Sequence, residues 1–194
     1  MMDSDQERET QTKVEPIRRL KDVQAVKKVL AGNPRNFALF TIGINSDLRG
    51  GELVQIKSGQ VRNLEPGGAV EVVDEKTAKS RKVFLNETCV SAARALIEAE
   101  KLKNEDNLFQ SQRGGALSVA SINRLVKKWC DAVGLKGNYG AHTLRKTWGY
   151  HQYHTFKTDL PTLMGVFNRT SYKQTSEYLD LYPNEKVDIF SNML

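Results

Sequence analysis

No apolar run in this 194-residue chain approaches the roughly 20 residues needed to cross a bilayer, so a membrane-spanning helix is not expected. Cysteine is scarce. Cys89 and Cys130 each fall in an apolar helical pattern and read as two reduced core thiols. No Cys/His grouping has zinc-ligand spacing. The first residues, MMDSDQERETQ, are polar and acidic, which excludes a signal or transit peptide at this end. Internal repeats and low-complexity tracts are missing, and a hydrophobic share of 39% is too high for wholesale disorder. The expectation is a cytoplasmic protein with one domain, long enough for a sizeable core.

Charge is abundant and unevenly placed. The net charge is +6 and the pI about 9.3. Within residues 1–15, five acids (Asp3, Asp5, Glu7, Glu9, Glu15) face Arg8 and Lys13, a net of −3, so the remainder carries +9. Residues 1–15 also lack apolar periodicity and read as a flexible acidic leader. A basic body points to a polyanionic partner, DNA or RNA. No aromatic-rich signature of single-strand RNA binding accompanies it.

Along the chain, Val23, Val26, Val29 and Leu30 share a helical face that Gly32 and Pro34 end. Asn33 then caps a helix carrying Phe37, Phe40 and Ile44, apolar on most sides and so expected at the centre. A short helix follows through Leu53 and Ile56. Between residues 60 and 85 the runs around Val61 and Leu64, Val70 to Val73, and Val83 to Leu85 are split by Gly/Pro and polar turns. They predict a three-stranded antiparallel sheet. Asn86 and Ser118 cap two further helices. The last third predicts helices at about 142–155, 160–167 and 171–181, ended by Pro183. The fold class is therefore α+β, mainly α, with a small sheet between two helical groups. Residues 183–194 form a tail whose Val187, Ile189, Phe190 and Leu194 suit docking onto this chain or a neighbour.

Four local patterns carry chemistry. Arg49, next to Gly50 and Gly51 at a helix junction, can let a guanidinium and backbone approach a phosphate. Lys76, Lys79, Arg81 and Lys82 crowd one hairpin, which read alone is an ordinary solvated turn. His142 and Arg145 lie three apart on one helix face, where an arginine can bind phosphate oxygens and a histidine can donate or move a proton. Last come Asn168, Arg169, Thr170 and Ser171, then Tyr178, which read alone is an amphipathic core tyrosine.

Taken in order, these patterns resemble the tyrosine recombinases of the phage integrase family. Asp47-Leu48-Arg49-Gly50-Gly51-Glu52-Leu53 looks like the family's first arginine box. Residues 76–85 look like its lysine hairpin, and residues 142–148 like its H-x-x-R box. Phe167-Asn168-Arg169-Thr170-Ser171 stands in its final box, with Tyr178 nine residues beyond Arg169. The likeness covers roughly residues 16–182, expected as the catalytic domain. Two positions depart from the pattern. Arg169 replaces the usual histidine, and as a permanent cation it donates hydrogen bonds but cannot serve as a base. Asp47 replaces the usual glycine and puts a carboxylate beside Arg49; if paired with Arg49 in the free protein, it would compete with phosphate.

The resemblance implies a site-specific recombinase or integrase of bacterial or phage origin, associated with the nucleoid. It implies cleavage and rejoining of double-stranded DNA through a 3′-phosphotyrosine, with no metal, ATP or other cofactor. Tyr178 would be the nucleophile, and Arg49 and Arg145 would clamp the phosphate. His142 and Arg169 would hydrogen-bond to it, and Lys76 would protonate the leaving 5′-oxygen. Lys79, Arg81, Lys82 and Lys146 are expected to contact DNA. The family acts as a homotetramer on DNA and often passes a C-terminal segment to a neighbour, a role that residues 183–194 suit. The alternative is a DNA-binding protein of the same fold with weakened or lost cleavage.

Overall fold

The computed structural model describes residues 13–74 and 78–181. Among them the elements are α1 (Leu20–Leu30), α2 (Pro34–Gly43), α3 (Gly50–Leu53), α4 (Ser58–Arg62), β1 (Ala69–Val73), β2 (Ser80–Phe84), α5 (Glu87–Ala99), α6 (Val119–Ala132), α7 (Ala141–His154), α8 (Leu160–Phe167) and α9 (Tyr172–Tyr178). The capping side chains of Asn33, Asn86, Ser118, Asp159 and Ser171 accept the backbone N–H three residues on, starting α2, α5, α6, α8 and α9. No described helix is long and apolar enough to cross a membrane.

The apolar helix α2 is the centre. Residues 38–43 are all buried. Its last residue, Gly43, lies against Leu144 of α7 so closely that a Cβ there would fall 2.6 Å from Leu144 Cδ1. That close approach locks α7 onto the core and fixes the side chains that α7 presents.

The sheet has two described strands, not the expected three. β1 pairs antiparallel with β2, with Val70 opposite Val83 and Val72 opposite Arg81. Val61, expected on the third strand, lies in α4 with its side chain buried. The other edge of β1 is satisfied by side chains. Gln55 donates to the Val73 carbonyl (3.0 Å) and accepts from its N–H (3.1 Å), and Gln60 donates to the Glu71 carbonyl (2.8 Å). Two glutamines thus take the hydrogen bonds a third strand would make.

Two apolar clusters result. The main one joins α1, α2, α5, α6 and the inner faces of both strands. The second is small: Leu160, Leu163, Phe167, Leu179 and Leu181, with Trp148 and Tyr178 packed against it. Of the expected leader, residues 1–12 lie outside the described residues, whereas Glu15 N–H donates to the Asn138 carbonyl (2.8 Å). The expected tail, residues 183–194, also lies outside them.

Candidate active site

Arg49 precedes α3, and the Glu52 carboxylate reaches back to accept its backbone N–H (2.6 Å). The Arg49 guanidinium meets Asp74 (2.6 Å) and Glu52 (3.2 Å). Asp47 does not pair with it. Its carboxylate instead binds Arg81 (2.6 Å) and stands 3.8 Å from Arg145. The reason is strand alternation. Along β2, Arg81 and Val83 turn inward while Ser80, Lys82 and Phe84 turn outward. Arg81 therefore reaches beneath the hairpin to Asp47 and Glu52 (2.7 Å), whereas Lys79 and Lys82 are exposed.

This network sets the charge states. Burial opposes ionisation of Glu52, but the Arg81 hydrogen bond, the Arg49 N–H and both guanidinium charges outweigh it and hold its pKa below the usual carboxylate value. Burial likewise opposes charge on Arg81, and its two carboxylate partners more than restore it. Sequence reading missed Glu52 and Asp74. Glu52 had a legible signal, a carboxylate at the third position of a helix start, aimed at the capping residue's N–H.

Arg145 projects from α7 and is 4% exposed. Burial lowers its pKa, the charges of Arg49 and Arg81 push the same way, and Tyr178 and Asp47 push back. The guanidinium stacks over the Phe167 ring at 4.6 Å. His142 lies one turn earlier on the same helix and is exposed between the buried Ala141 and Thr143. That start is held by Asn123 of α6, which accepts the Ala141 N–H at 2.5 Å.

Tyr178 closes α9. Its ring packs against Phe167 (5.6 Å between centroids), with the Arg169 guanidinium 4.2 Å and the Lys146 ammonium 5.2 Å from its centroid. Arg169 leaves α8 through Asn168, whose left-handed backbone (φ 52°) turns the chain toward α9. Lys146 is 3% exposed and donates to the Val14 carbonyl (2.7 Å). Burial pulls its pKa down to about 8. A side chain expected on the DNA surface thus sits beneath the tyrosine. Lys76 lies outside the described residues, though the hairpin segment before it ends at Asp74, bonded to Arg49.

Four buried side-chain polar atoms have no hydrogen-bond partner among the described residues, and two of them are Arg145 Nε and Tyr178 Oη. The site therefore brings together a cation group built on α3, β2 and α7 and a tyrosine built on α9, each with one buried polar atom that has no hydrogen-bond partner among the described residues.

Comparison with known proteins identifies the family. The model of the phage integrase family matches residues 19–185. A probable integrase/recombinase, YoeC of Bacillus subtilis, is 35% identical over 171 residues, covering 87% of this chain and 90% of its own. The tyrosine recombinase XerC of Caldanaerobacter subterraneus is 30% identical over 74% of this chain, which spans only 40% of that protein. Among solved structures, the XerA recombinase superposes with a TM-score of 0.72 at 18% identity, over 88% of this chain and 62% of its own. The XerH recombinase, bound to a palindromic difH substrate after cleavage, gives 0.65 at 26% identity over 81% of this chain and 46% of its own. With its helical fold, small antiparallel sheet and family match across most of its length, the chain belongs to the phage integrase family of tyrosine site-specific recombinases.

Proposed function

We propose that this chain cuts and rejoins double-stranded DNA through a covalent bond between Tyr178 and the 3′-phosphate. The observation that carries the reading is the pair of unpartnered buried atoms, Arg145 Nε and Tyr178 Oη, beside the guanidinium network. A backbone phosphate there would accept from Arg145 and Arg49 while the phenol oxygen attacks phosphorus. The P–O5′ bond breaks, and the 5′-hydroxyl departs with a proton from Lys76. His142 takes the phenol proton. Negative charge gathers on the non-bridging oxygens, where the arginines stabilise it. Attack by another strand's 5′-hydroxyl reverses the step. Phosphate must displace Asp74 from Arg49, so DNA binding and release of that ion pair are linked.

Lys79 and Lys82, exposed on the hairpin, supply DNA contacts that salt weakens. The functional unit is a tetramer on DNA in the bacterial cytoplasm, joined by residues 183–194 passing between protomers. Deleting residues 184–194 lowers synapsis of paired sites more than binding to one site; unchanged synapsis removes the tail from the assembly. One observation favours a second reading, DNA binding without cleavage: Arg49 is already taken by Asp74 and Glu52.

The two readings separate on one experiment. The protein is mixed with a pool of randomised duplexes nicked so that a cleaved end diffuses away. A detergent-resistant protein–DNA adduct forms with the unaltered chain and is missing with Tyr178→Phe. An equal adduct in the variant, or DNA binding with no adduct from the unaltered chain, overturns the cleavage reading.

A further inference from the structure

The segment before α1 is bonded into the nucleophile's surroundings at several points. Ile17 is 1% exposed. Its N–H donates to Thr147 Oγ1 (2.9 Å), and its carbonyl lies 3.0 Å from His151 Nε2. The Val14 carbonyl accepts from Lys146 Nζ at 2.7 Å. Thr147, His151 and Lys146 all belong to α7, the helix that carries His142 and Arg145. Arg18 then crosses to the end of α9, pairing with Asp180, and it also holds Glu15 at 3.1 Å. Asp180 lies two residues past Tyr178, in a left-handed conformation (φ 60°) that ends α9.

We propose that residues 14–18 form a strap that positions Tyr178, with Arg18 as its main positioning residue. The strap has two routes to the tyrosine. Arg18 fixes Asp180, and so the turn that ends α9. The Val14 carbonyl fixes the ammonium of Lys146, which stands against the Tyr178 ring. Neither route runs through the cations around Arg49 and Arg145, and neither places Arg18 on the phosphate. Arg18 therefore acts on the rate of attack and leaves DNA affinity alone. The ring of Tyr178 can tilt on its small apolar cluster, and a displacement of about 1 Å at a reacting oxygen costs up to about a hundredfold in rate. The catalytic consequence rests on the cleavage reading above; the mechanical link does not.

Two measurements test it separately. In the DNA-free protein, hydrogen exchange of residues 172–180 rises about fivefold in Arg18→Ala, while α2 and α5 are unaffected. On the nicked duplex pool, the single-turnover rate of adduct formation falls about tenfold, with the DNA dissociation constant within about twofold of the unaltered chain. Asp180→Arg behaves like Arg18→Ala, and the double exchange Arg18→Asp with Asp180→Arg restores both protection and rate to within about threefold. Unchanged exchange at 172–180 in Arg18→Ala overturns the strap. Raised exchange with an unchanged cleavage rate overturns its role in catalysis. Exchange that rises in α2 and α5 as well assigns the losses to general unfolding, and no rescue by the double exchange with α2 and α5 still protected removes the Arg18–Asp180 pair from the strap. If the unaltered chain forms no adduct, the cleavage reading fails and the strap's part in catalysis falls with it, while the exchange arm still decides the link.

Discussion

Arg49, Arg81 and Arg145 stand on elements packed into the main apolar cluster, whereas Tyr178 stands on a seven-residue helix whose contacts belong to a separate cluster of five buried residues. The two halves are also held by different forces. Asp47, Glu52 and Asp74 bind the guanidiniums of Arg49 and Arg81 at 2.6–3.2 Å before any phosphate arrives, and Asp47 lies 3.8 Å from Arg145. The tyrosine is held by ring contacts to Phe167, Arg169 and Lys146, each worth about 0.5–2 kcal/mol. A preassembled cation group loses little by reorganising when charge develops. A tyrosine on a small satellite cluster opens at lower free energy than the core. On the proposed reading, the fixed half is the charge-stabilising half, and the adjustable half is the one that bonds to DNA and lets go.

The largest expected effect is on the fixed half. Arg145→Lys removes the planar fork that can bind two phosphate oxygens, and single-turnover cleavage falls by about a hundredfold to a thousandfold. DNA affinity changes far less, because the surrounding charges remain. A near-normal cleavage rate would place charge stabilisation elsewhere.

A smaller effect sharpens the contrast from the other side. Gly149 of α7 faces the second cluster, and a Cβ there would collide with Leu179 and come within 2.9 Å of Phe167 Cζ. Gly149→Ala therefore destabilises α8 and α9 by about 1–3 kcal/mol. The two tryptophans report the halves separately, since Trp129 packs on Phe40 and Trp148 on Phe167. In urea, the Trp148 signal shifts to lower concentration while Trp129 hardly moves. If both signals shift together, the halves form one cooperative unit.

The smallest effect is a pH dependence. The Lys146 ammonium is disfavoured by burial, with a folded pKa of about 8 against an ordinary 10.5. Between those values the unfolded chain binds more protons, so folded stability rises with pH across that window. The unaltered protein therefore gains stability relative to Lys146→Met between about pH 8 and 10.5, measured by urea unfolding below, within and above it. A relative loss over the window would show that Lys146 is stabilised as a cation.

Much of this contrast was legible in the sequence. The caps at Asn33, Asn86 and Ser118 and the apolar character of α2 are local signals, and they placed the elements. The order of Arg49, the hairpin cations, His142, Arg145 and Tyr178 carried the family resemblance. Direction was not legible. Arg81 and Lys82 are neighbours with equal charge, yet strand alternation sends one inward to Asp47 and Glu52 and the other out to solvent. Lys146 reads as a surface cation until α7 is seen wrapped by the segment before α1 and by α9. The third strand failed for a related reason. Gln55 and Gln60 bond to the edge of β1 through side chains, and hydropathy does not record such bonds.

The central claim is that the adjustable half delivers one particular oxygen. Its most direct measurement is mass spectrometry of the trapped adduct after nuclease and protease digestion. The account predicts a nucleotide remnant on the phenol oxygen of Tyr178. A remnant on Tyr172, Tyr182 or any serine would contradict it, because the cation group would then serve a different nucleophile.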